Sequence, residues 1–357
     1  MVHRFTLTAA RCHEYEEATV TTERFSPPPR GRVGEGAHVV QRVTVILVSV
    51  AAAVLFFNAV SSAQPKPKLR PLHIALPNKS VTMTSIYVAK QLGIFESYGF
   101  DPRVLVLEPR AAFAAMLTGD LDFYSAIGST ARAALRGAPL RVALVSLNRS
   151  DFMLVTTKEI KSIDQLKGRT IAGYTAQATV NVILIELLRR KGLRPEDYKI
   201  VNVGTARAAA LASGSVPATL VNSLETVRLV KQGFHVLLRA ADEMEIPQSG
   251  LGLSVAALQS KRDFLRPAVQ AVLEAIRVIA NQKDKTVTVL MKELALSQEE
   301  ASYIYDAIHR GWAVDGKPTS GAMKLEFELD QRDMGLKELP KPDQVYDFSL
   351  LDEIGKR

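Results

Sequence analysis

Residues Ile86–Asp101 read IYVAKQLGIFESYGFD and residues Gly119–Phe123 read GDLDF. The first stretch has apolar residues at helical spacing, stops at Gly93, restarts for one turn and runs into a strand after Gly99. The second is a tight approach to a buried strand. A third stretch, Ile160–Tyr174, reads IKSIDQLKGRTIAGY, a one-turn helix at Ser162–Leu166 followed by a strand.

Around these phrases short β-branched runs alternate with helical stretches. Leu72–Leu76, Arg103–Leu107, Leu121–Ser125 and Leu140–Leu147 read as strands, with helices over Met83–Ser97, Arg110–Thr118 and Thr130–Arg136. The rhythm then repeats. Arg169–Ala172, Tyr198–Val201, Ala218–Val221 and His235–Leu238 read as strands, with helices over Ala178–Lys191, Ala206–Ser213 and Glu225–Gln232. Such βαβα order predicts two mainly parallel sheets flanked by helices, so the fold class is α/β. Leu251–Leu258 is strand-like, and the chain beyond Lys261 is helical, notably over Ile276–Asn281, Thr286–Leu296 and Glu299–Arg310. The expected division is a first lobe over residues 64–155, a second over 156–249, and a return to the first over 250–357, where a helical block packs on it. The two crossings are expected near Asp151–Lys158 and Gln248–Ser254.

The N-terminus has its own pattern. Val43–Val60 is one apolar run, preceded by Gln41-Arg42 and followed by Ser61-Ser62-Ala63. Residues 41–63 therefore read as a signal peptide cut after Ala63, with an uncleaved anchor as the alternative. Residues 1–40 lack periodicity and read as a non-structured leader or a mis-assigned start, with initiation near Val39 or Val40. Pro65–Pro71 is a short spacer.

The chain has 357 residues and a net charge of +8. Its Lys and Arg are interspersed with acids, without a basic run interleaved with aromatics, so no nucleic-acid partner is expected. The single cysteine is Cys12, ahead of the expected cut, which excludes disulfides, a thiolate zinc site and a cysteine nucleophile from the mature protein. His73, His235 and His309 are far apart in sequence, and no metal or cofactor is expected. No G-x-S-x-G elbow, His/carboxylate cluster or phosphate-loop lysine motif is present, so the protein is not expected to be an enzyme.

Ligands of open α/β sheets bind beyond the carboxyl ends of the strands, where helix N-termini offer free N–H groups. The residues following each strand are thus the candidate binding set. After the first strand these are Asn78, Ser80 and Thr82, the hydroxyls also able to cap the next helix, with Lys79 either facing an anion or solvent. After the third strand come Ser125, Gly128 and Ser129, in a small Gly-containing turn that opens a helix. Asn148 follows the fourth strand, beside an Arg149 expected to face solvent. In the second lobe Tyr174, Thr175, Gln177, Ala178 and Thr179 open the Ala178 helix. Asn222 and Ser223 follow the Ala218–Val221 strand, and Glu225 reads as an acid placed for the helix dipole.

The ordered set of phrases resembles the binding proteins of ABC importers, in the branch that captures nitrate, sulfonates, taurine or thiamine-pyrimidine precursors. Ala89-Lys90 before Gly93-Ile94-Phe95, Tyr98-Gly99-Phe100-Asp101, Gly119–Phe123, Asp164-Gln165-Leu166-Lys167-Gly168 and Leu193 with Pro195 carry the resemblance, which spans about Leu69 to Leu350. It implies a type II periplasmic binding protein fold with two lobes and two hinge crossings. It also implies a monomer that delivers a small organic anion or heterocycle to a membrane permease and ATPase. The Gly128-Ser129 and Thr175–Thr179 turns match cleft positions of such proteins. Pro217 stands where the family usually has an acidic residue in a G-x-x-D-A pattern. Two other readings of the resemblance are a thiamine-pyrimidine-synthase-like enzyme and an orphan binding protein that senses its ligand.

Overall fold

Leu72, Ile74, Ala75 and Leu76 are all buried, so the strand Arg70–Leu76 (β1) is covered on both faces, as parallel strands flanked by helices are. The computed structural model describes residues 68–174 and 178–355. The leader, the apolar run and the cut after Ala63 lie outside the described residues, as do Thr175 and Gln177. Among the described residues no helix is long and apolar enough to cross a membrane.

Residues Ile86–Asp101 and Gly119–Phe123 account for one corner of the first sheet. Helix α1 (Thr84–Gln91) ends at Gly93, whose φ of +70° starts the one-turn helix α2 (Ile94–Ser97). Gly99 then turns the chain into β2 (Phe100–Val106), and its carbonyl accepts from the Arg70 amide at 2.9 Å. Ile86, Phe95 and Phe100 fill the core beneath. After α3 (Pro109–Thr118), Gly119 closes the helix at φ +86°. Leu121 and Phe123 point inward, and buried Asp122 accepts from the His73 amide at 2.9 Å, fixing the start of β3 (Phe123–Tyr124) against β1.

Helix α4 (Ile127–Leu135) and β4 (Leu140–Leu147) complete the first run. The second sheet holds β5 (Met153–Thr156), β6 (Thr170–Gly173), β7 (Lys199–Asn202), β8 (Ala218–Val221) and β9 (His235–Arg239). Its helices are α5 (Thr179–Arg190), α6 (Arg207–Ala212) and α7 (Ser223–Lys231). A turn of helix, α8 (Ala240–Glu243), precedes the return strand β10 (Ser249–Ser254). The two five-stranded sheets have the orders β2-β1-β3-β10-β4 and β7-β6-β8-β5-β9. In each sheet only one strand is antiparallel, β10 in the first and β5 in the second. Both are the strands by which the chain arrives from the other sheet.

This pairing moves the expected boundaries. β5 pairs with β8 and β9 through its buried MLVT run and belongs wholly to the second sheet, so the first crossing is the polar segment Asn148–Phe152. The second crossing spans residues 240–248, and Ser249–Ser254 is already a strand of the first sheet. That strand ends where the Ser254 hydroxyl accepts from the Ala257 amide and caps α9 (Val255–Ser260), which shortens the expected strand over Leu251–Leu258.

Space for β10 depends on two glycines. A Cβ on Gly250 would lie 1.9 Å from the Leu144 carbonyl oxygen, and one on Gly252 would lie 2.6 Å from Thr130 Oγ1.

The longer C-terminal helices are α10 (Arg262–Asn281), α11 (Lys283–Leu294), α12 (Gln298–Ile308) and α13 (Ser320–Met334), followed by the short α14 (Pro342–Val345) and α15 (Ser349–Gly355). α10 is far longer than the expected Ile276–Asn281. Its buried face from Leu265 to Ile279 outweighs the backbone hydrogen bond lost at Pro267. α10 and α11 pack on the first lobe as expected. α13 differs. Leu325 and Leu329 join the core of the second sheet, while Phe327, on its opposite side, joins a cluster with Ile127, Val142 and Tyr346 of the first. The helix is thus a strap across both lobes.

Polar groups run along the strap. Thr319 caps it and donates to Glu245 of the second crossing at 2.6 Å. Buried Glu326 accepts from the Tyr346 hydroxyl, and one turn on, buried Asp330 pairs with Arg132 of α4 at 2.9 Å. Burial pushes the Asp330 carboxyl up, opposed by Arg132. Burial likewise pushes Glu326 up to about 8, a rise opposed by the Tyr346 hydrogen bond and by Arg132 and aided by Asp330.

Gly250→Ala will lower stability by about 3 kcal/mol, because the neighbour is rigid backbone. Gly99→Ala, in open space at φ +81°, will cost only about 1–2 kcal/mol. Equal drops in melting temperature for the two variants would refute the close approach at Leu144. For Glu326 the folded state holds a proton that the unfolded chain releases. Its contribution is therefore complete below the ordinary carboxylate range and is lost as pH rises towards about 8. Glu326→Gln should gain on the parent between about pH 5 and pH 8, by on the order of a few kcal/mol. A melting-temperature difference that is flat with pH would show that Glu326 is already ionised in the fold.

Candidate functional site

The strands β1, β3 and β4 of the first sheet end on one edge, and β6 and β8 end on the corresponding edge of the second. The residues expected to bind a ligand lie just beyond these ends. The structure divides them into those already engaged by the protein and those left at helix N-termini.

Beyond β1, Asn78 and Lys79 are exposed. Ser80 and Thr82 do not cap a helix. Their hydroxyls bond to each other at 2.8 Å, and the Ser80 amide donates to the Tyr87 hydroxyl at 3.3 Å. The chain enters α1 through a 3-10 turn at Val81–Met83, in which the expected caps pair with one another instead. Burial pushes the Tyr87 phenol up to about 12, so it stays protonated.

Beyond β3, Ser125 is fully buried, and its hydroxyl contacts Met83 Sδ at 2.9 Å. Gly128 and Ser129 are half-buried and lie within the first turn of α4, which begins at Ile127 rather than at Thr130. Ile127, Ala131 and Ala134 form its inward face at helical spacing. The first-turn amides of this helix have no carbonyl partner within the helix.

Beyond β4, Asn148 is buried in the first crossing. Its Nδ2 donates to the Lys317 carbonyl at 3.1 Å and its amide to Gly311 at 2.7 Å, so it ties the crossing to the C-terminal block. Arg149, expected to face solvent, instead reaches the second crossing. It donates to the Ala241 carbonyl and pairs with Glu245 at 2.8 Å.

In the second lobe, Tyr174 is held by a residue that sequence reasoning missed. Asn181, buried in α5, accepts from the Tyr174 amide and donates to its carbonyl, both at 2.8 Å. A lone Asn in the apolar run Val180–Leu184 is the signal that was available. The Tyr174 ring lies 5.4 Å from the Arg207 guanidinium, a cation–π contact. Ala178 is the N-cap residue of α5, and Thr179 opens its first turn. Thr179 Oγ1 accepts from Arg132 Nη1 at 3.2 Å, a hydrogen bond from one lobe to the other.

The N-terminus of α7 is occupied. Asn222 caps it in a reciprocal box with Glu225, the Glu225 amide donating to Asn222 Oδ1 at 2.9 Å. Fully buried Ser223 donates through its hydroxyl to Asp151 Oδ2 at 3.2 Å. Asp151, also missed in the sequence, sits in the first crossing with its carboxylate against the α7 amides. Burial pushes it up to about 6, against the lowering effect of the Ser223 bonds. Asn222 is therefore satisfied by Glu225 and Ser223 by Asp151, so neither side chain is left over for a solute.

What remains is one helix N-terminus from each lobe. α4 presents Gly128 and Ser129, and α5 presents Thr179, whose hydroxyl is held by the Arg132 guanidinium, itself paired with Asp330 at 2.9 Å. Such a site supplies hydrogen-bond donors and positive charge, the requirements for holding an anionic group. Among the described residues no group of three or more His, Cys, Asp or Glu side chains is placed to hold a metal.

Comparison with known proteins agrees with this architecture. The periplasmic aliphatic sulphonate binding protein SsuA from Escherichia coli is similar over 80% of this chain and 92% of its own, with 18% identity and a TM-score of 0.62. The periplasmic nitrate-binding protein NrtA from Synechocystis PCC 6803 is similar over 81% of this chain and 89% of its own, with 13% identity and a TM-score of 0.58. The desulfurization enzyme DSZB is similar over 81% of this chain and 99% of its own, with 15% identity and a TM-score of 0.61. The chain thus has the two-lobe periplasmic binding protein fold, a fold that serves binding proteins and an enzyme alike. No curated protein matches it. The family model described as NMT1/THI5 like matches residues 80–286. That match spans more than half of the sequence, and the chain belongs to the NMT1/THI5-like family.

Proposed function

We propose that this protein is the exported solute-binding component of an ABC importer. It captures a small organic anion between its lobes and delivers it to a membrane permease and ATPase. The observation that carries the reading is the approach of two helix starts, α4 and α5, linked across the lobes by the Arg132–Thr179 hydrogen bond. A sulfonate or carboxylate placed there receives amide donors from both lobes at once. A ligand that contacts both lobes favours the closed arrangement over the open one. SsuA and NrtA, similar in fold, are binding proteins for a sulphonate and for nitrate.

A binding role is favoured over an enzymatic one by the side chains at this place. His73 lies on β1 beside Asp122, His235 begins β9, and His309 follows α12, so none of these three stands at the facing helix starts. Serine and threonine hydroxyls without a neighbouring base hold a solute but do not attack it.

The test is calorimetric titration and thermal shift with ethanesulfonate, taurine, nitrate and an aminopyrimidine. At least one anion should bind saturably and raise the melting temperature. Arg132→Gln should weaken it about tenfold or more, the range of a charged hydrogen bond. Thr179→Ala should weaken it less, since it leaves the guanidinium in place. The melting temperature of each ligand-free variant separates loss of binding from loss of fold. Failure of every anion to bind the folded protein, or binding indifferent to Arg132→Gln, would overturn the reading.

A further inference from the structure

A cavity of about 240 Å³ lies where the two crossings meet the C-terminal block, away from the facing starts of α4 and α5. Three chain segments wall it. Arg149 comes from the first crossing, Arg239 and Asp242 from the end of β9 and the second crossing, and Asp306, His309 and Arg310 from the end of α12 and the turn beyond.

The charges around this cavity do not cancel. Arg149 is neutralised by Glu245 at 2.8 Å, and Asp306 by Lys283 at 2.6 Å. Arg239 lies over the Tyr303 ring at 5.5 Å and donates weakly to its hydroxyl at 3.4 Å. Among the described residues neither Arg239 nor Arg310 has a carboxylate within ion-pair distance, and Asp242 has no cation. Two guanidinium groups thus face one carboxylate. His309 adds an imidazole whose Nδ1 bonds to the Asp306 carbonyl at 3.0 Å and whose ring stacks on Tyr305, so its position is fixed.

We propose that this cavity is a second binding site, for a small oxyanion of the phosphate or sulfate class. Guanidinium groups offer paired N–H donors that match the oxygens of such ions. Volume points the same way. A water takes about 30 Å³, so the cavity holds roughly eight waters, less than the ~300 Å³ at which pockets for drug-sized ligands begin. A phosphate with part of its hydration shell fits this space.

The site has a mechanical consequence. Arg239 ends the outer strand of the second sheet, and His309 and Arg310 follow α12, which packs on the first-lobe core through Ile304 and Ile308 and touches the second through Tyr303 and Ala307. An ion held by both joins the lobes beside the crossings. Its binding energy then weights whichever arrangement of the lobes brings Arg239 and Arg310 together. This site stands independently of the anion proposed between α4 and α5.

The experiment is calorimetric titration of the whole protein with inorganic phosphate and with sulfate, at constant ionic strength held by chloride. Parent, Arg310→Gln, Arg239→Gln and Thr179→Ala are compared. Saturable binding is expected in the parent and in Thr179→Ala, with affinity at least tenfold lower in each arginine variant. Arg310 is exposed, so its variant decides the matter even if Arg239→Gln fails to fold. Absence of saturable binding of both ions in the parent would overturn the site. So would binding that persists in both arginine variants, and loss in Thr179→Ala alone would place the ion between the helix starts instead.

Discussion

The return strand Ser249–Ser254 has to enter the first sheet between β3 and β4, and it fits because Gly250 meets the Leu144 carbonyl with no side chain between them. The rest of the architecture depends on that close approach. It fixes the register of β10, which sets where the second crossing ends. The crossing in turn receives Arg149 through Ala241 and Glu245, and Glu245 holds Thr319 at the start of the strap helix. A shift of one residue in β10 would turn its glycines away from Leu144 and Thr130 and set every one of these contacts out of place.

The two sheets have apolar cores of their own, but much of what joins them is charged or polar. Asp151 ties the first crossing to α7, Arg132 ties α4 to α5, and Glu326 with Asp330 runs along the strap. This division has a physical sense if the lobes part, as the proposed solute capture requires. Apolar surface exposed on opening costs about 25 cal/mol per Å² with nothing in return. Polar groups recover hydrogen bonds from water when they part, so a polar junction opens at a smaller net cost.

The sequence disclosed the fold better than the site. The phrases Ile86–Asp101 and Gly119–Phe123 carry their own turns, with glycines where positive φ is needed and apolar residues where the core is, so local pattern and final structure coincide. The crossings were less legible because the polar run Asn148–Asp151 resembles a loop whether or not it joins two lobes. At the site, Ser80, Thr82, Asn148, Asn222 and Ser223 all have the chemistry to hold a ligand, and all are engaged by the protein itself. The Asn222–Glu225 pair follows the three-residue spacing of a capping box and was legible, whereas Lys317 and Asp151, the partners of Asn148 and Ser223, lie 169 and 72 residues away, where no spacing rule reports them. The start of α4 is a different case. The Ile127, Ala131 and Ala134 spacing was present in the sequence, but the glycine beside Ile127 reads as a turn.

Because binding proteins and an enzyme share this fold, chemistry has to be argued from the atoms left unsatisfied after folding. The N-terminus of α7 looks as suited to an anion as those of α4 and α5, yet Asp151 already supplies the negative charge and Asn222 the cap. The electrostatic demand of that helix is met from within the chain. At α4 and α5 the nearby charge has the opposite sign. Arg132 adds a cation to two positive dipole ends, and its Asp330 partner lies towards the strap. Two positive dipole ends and a guanidinium lie close together there, and Asp330 supplies the one carboxylate paired with that guanidinium.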